Sequence, residues 1–118
     1  MNLKRGDVAI AMFPNADGSP PKPRPVLVVQ SDLYNTRIKN LIVAAITSNL
    51  KHTSDPATLL IEVSTTEGKA TGLRQNSLVS CINVATIEDT LIVKKIGQFS
   101  IAMMQKINNC LKISLELP

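Results

Sequence analysis

Pro23-Arg24-Pro25-Val26-Leu27-Val28-Val29, residues 23–29, is the stretch that decides how this chain of 118 residues folds. Each proline fixes its own φ, and Pro25 also pushes Arg24 out of the helical region. Four apolar residues in a row after such a start read as a strand buried on both sides, with a guanidinium held at its rim. A second apolar run, Leu41-Ile42-Val43-Ala44-Ala45-Ile46, closes at Thr47. A fixed cation and a hydroxyl ending neighbouring strands suit a phosphate diester better than an apolar ligand.

Outward from that stretch, Gly6 to Phe13 reads as a preceding strand, and Asn15 to Pro23 as a loop stiffened by its prolines. Arg24 to Gln30 is the second strand and Ser31 to Asn35 a helical turn at most. Leu41 to Thr47 is the third strand, Ser48 to Pro56 a polar loop, Thr58 to Val63 the fourth strand, and Ser64 to Gly72 a third loop. Ser77 to Ile87 and Leu91 to Gly97 are β-rich and read as an antiparallel pair joined across Glu88-Asp89-Thr90. From Ser100, a suitable N-cap, the period becomes helical. Apolar residues recur at Ile101, Met104, Ile107, Leu111 and Leu115, with Met103 and Cys110 alongside. The expected fold is therefore α+β, mostly β: a small, strongly curved antiparallel sheet or barrel with a helix packed on it. No connection is long enough for the crossover helices of a parallel sheet. The helix is apolar on more than one stripe, so either the core wraps it widely or a second subunit covers part of it.

A chain of this length, 44% hydrophobic, can bury a core as one domain (residues 1–118) without disulfides or metals. Cys81 and Cys110 lack metal-ligand or redox spacing and read as buried thiols, one in a strand and one in the helix. His52 is the only histidine, so no His/Cys cluster exists for zinc, and a loop histidine is a weak choice as catalytic base. No cofactor is expected. The apolar runs are too short to span a bilayer and the N-terminus lacks an apolar signal core, which points to the cytoplasm. Thirteen basic against nine acidic residues leave a charge of +4. Most of the surplus lies in residues 1–40, a distribution compatible with a nucleic-acid footprint. With only Phe13, Tyr34 and Phe99 as aromatics, a platform that stacks successive bases is unsupported.

Taken singly, Arg24 could cap a loop and Thr47 is an ordinary strand residue. Together they end two apolar runs at what should be one sheet edge. Arginine stays protonated, so it can bind or stabilise phosphate charge or donate to a leaving group. RNA cleavage needs no external nucleophile, because the 2′-OH attacks the adjacent phosphorus once the geometry is held in line. Arg74, Gln75, Asn76 and Ser77 form a further polar cluster, and Lys22 could add phosphate attraction. Asp7 and Asp17 read as turn residues. The Glu88-Asp89 pair sits in a turn and does not support a two-carboxylate mechanism.

Lys4-Arg5-Gly6-Asp7-Val8, the stretch from Lys22 to Asp32, Ile42 to Thr47, and the block from Asn76 to Ile87 together resemble the MazF/PemK toxins. The ending, a helix running into Leu111-Lys112-Ile113-Ser114-Leu115, is also similar. The resemblance implies an SH3-like, PemK-type barrel working as a homodimer, and a metal-independent endoribonuclease that cuts single-stranded mRNA at short motifs. The products would be a 2′,3′-cyclic phosphate and a 5′-hydroxyl. It implies Arg24 and Thr47 as the catalytic pair. Asn15, Gly18 and Lys22, then Ser48, Asn49 and Lys51, then Arg74, Gln75, Asn76 and Ser77 would line the RNA-binding groove. A MazE-like antitoxin with a disordered acidic tail would be the protein partner. Two positions depart from the family pattern: Asn49 stands where some members carry glutamine, and Arg74-Gln75-Asn76 where some carry Arg-x-Asp. They leave the general base and the cleavage motif open. A barrel that poisons DNA gyrase fits less well, because that activity is associated with a C-terminal tryptophan and this chain has none. An inactive barrel that only binds RNA or an antitoxin remains the other alternative.

Overall fold

The computed structural model describes residues 2–118. Six strands form one antiparallel sheet: β1 (Asp7–Phe13), β2 (Lys22–Val28), β3 (Asn40–Thr47), β4 (Thr58–Ile61), β5 (Ser77–Glu88) and β6 (Ile92–Gln98). Their order across the sheet is β4-β5-β3-β2-β1-β6. Three helices complete the fold, α1 (Asp32–Asn35), α2 (Thr66–Ala70) and α3 (Ile101–Leu115). The mostly β architecture with a C-terminal helix is as expected. The edge strands β4 and β6 do not pair with each other, so the sheet is not a closed barrel.

The unbroken apolar run in β2 is indeed buried on both faces. Leu27 and Val29 join Val8, Ile46, Ile61, Val79 and Phe99 in a core under α3. Val26 and Val28 join Ala9, Ala11, Phe13, Val43 and Ile87 in a second core on the opposite face. Period-two alternation in a strand covered on both sides accounts for this split. α3 closes the first core with Met103, Ile107 and Cys110, and Ser100 caps it by accepting from the Met103 N–H at 3.1 Å.

Two expectations need correction. β5 and β6 are not a hairpin: β5 pairs with β3 and β4, whereas β6 crosses to the far edge and pairs with β1. A 3-10 turn at Asp89–Leu91, together with a register jump in β5 opposite Ala44 and Ala45, redirects the chain there. The loop Ser64 to Gly72 contains α2, whose Thr65 cap accepts from the Gly68 N–H at 2.9 Å. In α3, Met103, Ile107 and Cys110 are buried and Met104 and Leu111 pack partly against the core, whereas Ile101 and Leu115, which share the helical period, are exposed.

Candidate active site

Past Val26 and Ala45, pairing between β2 and β3 stops. The hydrogen bonds explain why. Gly6 N–H donates to Val28 O, and Val29 N–H donates to Ile42 O, so odd-numbered β2 residues turn their backbone groups toward β3. Pro23 and Pro25 fall in that set and have no N–H to offer. The two strands therefore separate, and a cleft of about 410 Å³ opens between them. Carried two residues further, the β2/β3 register would set Arg24 opposite Thr47. Both line the cleft.

The guanidinium is held from one side. Arg24 Nη2 donates to Asn15 Oδ1 at 3.1 Å, and Asn15 Nδ2 donates to Pro20 O at 2.8 Å, which fixes the orientation of the amide. Asp17 lies in the same loop. The Ser19 hydroxyl and Ser19 N–H hold its carboxyl below the ordinary range, with a smaller contribution from the Arg24 charge. Across the opening, Thr47 Oγ1 accepts from the Asn49 N–H at 3.1 Å, which leaves the hydroxyl proton free for a ligand.

The third side comes from the turn after α2. Gly72 has φ +75°, and a Cβ there would lie 2.0 Å from Ile96 O. A Cβ on Gly97 would lie 2.3 Å from the Thr71 carbonyl carbon. Only glycine at both positions lets the turn press onto β6, and that contact delivers Leu73, Arg74 and Gln75 to the cleft.

Of the residues singled out from sequence, Arg24, Thr47, Ser48, Arg74, Gln75 and Ser77 line one cleft. Asn15 is joined to it through Arg24. Gly18, Lys22, Asn49, Lys51 and Asn76 lie outside the lining. Asn49 shapes the next turn, accepting from the Lys51 N–H at 3.0 Å. Asn76 Oδ1 accepts from the Val63 N–H at 2.9 Å and ties the end of β4 to the loop before β5. Sequence reasoning missed Lys94, Ile96 and Ile10. The missing signal was the pairing of β6 with β1, which the expected hairpin concealed. Among the described residues the cleft is lined by three cations, Arg24, Arg74 and Lys94, and by no carboxylate. A half-enclosed site of one sign concentrates anionic ligands.

A family model described as the PemK-like, MazF-like toxin of type II toxin–antitoxin systems matches residues 4–115. The chain belongs to this family. Among curated relatives, endoribonuclease EndoA of Bacillus subtilis is 33% identical over 118 residues, covering 99% of this chain and 97% of the relative. Endoribonuclease MazF6 of Mycobacterium tuberculosis is 31% identical over 119 residues, covering 99% of this chain and all of the relative. The fold is shared with a mycobacterial endoribonuclease solved with its cognate antitoxin. That match has a TM-score of 0.79 at 20% identity and covers 98% of this chain and 97% of the other. A MazE–MazF structure from Deinococcus radiodurans superposes with a TM-score of 0.73 at 14% identity, over 100% and 99% of the two chains. At such identities the likeness speaks for fold, and the PemK/MazF assignment rests on the family model and the curated relatives. No described helix is long and apolar enough to cross a membrane, and no described group of His, Cys, Asp or Glu is arranged to hold a metal ion.

Proposed function

We propose that this endoribonuclease toxin cuts single-stranded mRNA in the cleft between β2 and β3, with Arg24 and Thr47 as the catalytic residues. The observation that carries the reading is the placement of that guanidinium and that hydroxyl on opposite sides of one opening whose other charges, Arg74 and Lys94, are also positive. In the reaction the ribose 2′-oxygen bonds to the adjacent phosphorus and loses its proton, and the bond from phosphorus to the 5′-oxygen breaks. The 5′-oxygen takes up a proton, leaving a 2′,3′-cyclic phosphate and a 5′-hydroxyl. Arg24 stabilises the charge that builds on the non-bridging oxygens. Thr47 donates to one of them or orients the 2′-OH. Because the substrate supplies its own nucleophile and the guanidinium supplies the positive charge, the step runs without a metal ion. Ser48, Gln75 and Ser77 offer hydrogen bonds to the flanking nucleotides.

Incubation with a long RNA, with and without EDTA, followed by mapping of new 5′ ends, tests this directly. Cuts at one repeated short motif, unaffected by EDTA and abolished in Arg24→Ala, are the expected result. EDTA-sensitive cutting, or full activity in Arg24→Ala, overturns the mechanism.

The same reading makes this chain the toxin of a cytoplasmic toxin–antitoxin pair, silenced when an acidic antitoxin segment occupies the cationic cleft. It also implies a homodimer. Ile101, Ile113 and Leu115 on α3, and Ile82 and Val84 on β5, are exposed apolar side chains that a second copy would cover. Sedimentation of the purified toxin should then give twice the chain mass, and an acidic antitoxin peptide should inhibit cleavage.

A further inference from the structure

β6 carries two adjacent lysines with different surroundings. Lys95 Nζ pairs with Asp7 Oδ1 at 3.2 Å, and the Asp7 carboxylate also accepts from the Lys4 N–H at 2.8 Å. Successive strand residues face opposite ways, so Lys94 leaves that contact behind. It forms no salt bridge among the described residues and lines the cleft. Its position follows from the register. Pro25 of β2 pairs with Ile10 of β1, and Ile10 pairs with Lys94 of β6. Directly paired residues of antiparallel strands share a face, and all three line the cleft. Pro25 and Ile10 thus form an apolar floor, with Ile46, the neighbour of Thr47, beyond one end of it and Lys94 at the other.

We infer that Lys94 grips a backbone phosphate next to the scissile one, making the cleft a site for at least two consecutive phosphates of the RNA strand. β1 separates β2 from β6, so the two backbones stand two strand spacings apart, about 9.6 Å. A cation rooted there, on the wall away from Thr47, meets the strand after it has passed the Arg24–Thr47 pair. Arg24, tethered by Asn15, serves the reacting phosphate, whereas the flexible ammonium serves as a mobile point charge. Lys94 is then a positioning residue: it holds the strand and takes no part in the bond changes. This rests on the nuclease reading above.

The test compares wild type, Lys94→Gln and Lys95→Gln. One readout is the salt dependence of binding to an oligonucleotide carrying a 2′-deoxy sugar at the cut site, so that it is held but not cleaved. The other is kcat and KM on the cleavable RNA. Lys94→Gln should lower the steepness of log affinity against log salt by about 0.7, the contribution of one phosphate contact on a single strand. It should also raise KM several-fold with kcat unchanged, and Lys94→Arg should restore both. Lys95→Gln should leave the slope unchanged. An unaltered slope in Lys94→Gln, or a fall in kcat without a change in affinity, overturns the assignment. If the wild-type protein itself neither binds nor cuts RNA, the nuclease reading has failed and the Lys94 assignment falls with it. Cutting by wild type with no effect of Lys94→Gln refutes only the latter.

Discussion

The two halves of β2 live in different worlds. From Val26 to Val28 the strand is paired with β3 and fully buried, with Val26 and Leu27 also paired with β1. From Lys22 to Pro25 it is paired only with β1, and Lys22, Pro23 and Arg24 are exposed. One continuous strand is thus scaffold at one end and cleft wall at the other, and the switch occurs at a proline. The lesson is that the guanidinium is placed by residues that do not line the cleft. The buried half anchors the strand, so the exposed half has only one path to follow.

Substitutions at either end should separate those roles most sharply. Arg24→Ala should lower RNA cleavage by a factor on the order of hundreds or more, while thermal stability changes by less than about 0.5 kcal/mol. Leu27→Ala, from the fully buried half, should cost roughly 2–5 kcal/mol of stability, read by chemical denaturation. Should Arg24→Ala instead lower stability as much as Leu27→Ala, the division within β2 does not hold. Next in size is Gly72→Ala. Its positive φ and its contact with Ile96 O predict a loss on the order of 2–3 kcal/mol, together with weaker RNA binding as Arg74 and Gln75 withdraw.

A smaller effect should follow from loosening the tether on Arg24. Asn15→Ala removes the acceptor for Nη2 and should lower kcat about tenfold with KM nearly unchanged, the loss of one hydrogen bond to a charged group. A change in KM alone would show that Asn15 reads the RNA and does not hold the arginine. The smallest effect lies in the core under α3. Burial, and to a lesser degree the neighbouring Cys110, pushes the Cys81 thiol up to about 12, and burial also raises Cys110. The fold favours the neutral thiol, so this contribution is complete below the ordinary thiol range near 8.5 and is lost as pH rises toward about 12. The Cys81→Ala variant should therefore lose less stability than wild type between those limits. Both thiols should resist alkylation in the folded protein at neutral pH.

Local chemistry was legible in the sequence; partners in space were not. The double burial of β2, the Ser100 cap and the ends of β1 and β3 all follow from patterns a few residues long. That Arg24 and Thr47 line one cleft was legible too, because Arg24 precedes one apolar run, Thr47 follows the next, and the two runs lie side by side. Lys94 was invisible for the opposite reason. Its place depends on β6 pairing with β1 instead of with β5, and the short link at Asp89–Leu91 looks locally like any hairpin turn. Ile101 and Leu115 show the same limit, since a periodic stripe marks a helix without saying how far the core extends along it. α2 was hidden because Gly68 reads as a breaker, whereas the Thr65 cap holds the turn in spite of it.

The missing amide hydrogens of Pro23 and Pro25 also act against closure. Were β3 to drift toward β2 beyond Ala45, it would find no donors there and could not zip the mouth shut. The aperture is therefore guaranteed by the chain itself and not by whatever fills it. Residues 16–19 and 49–51 lie outside the lining and are not what holds the gap open.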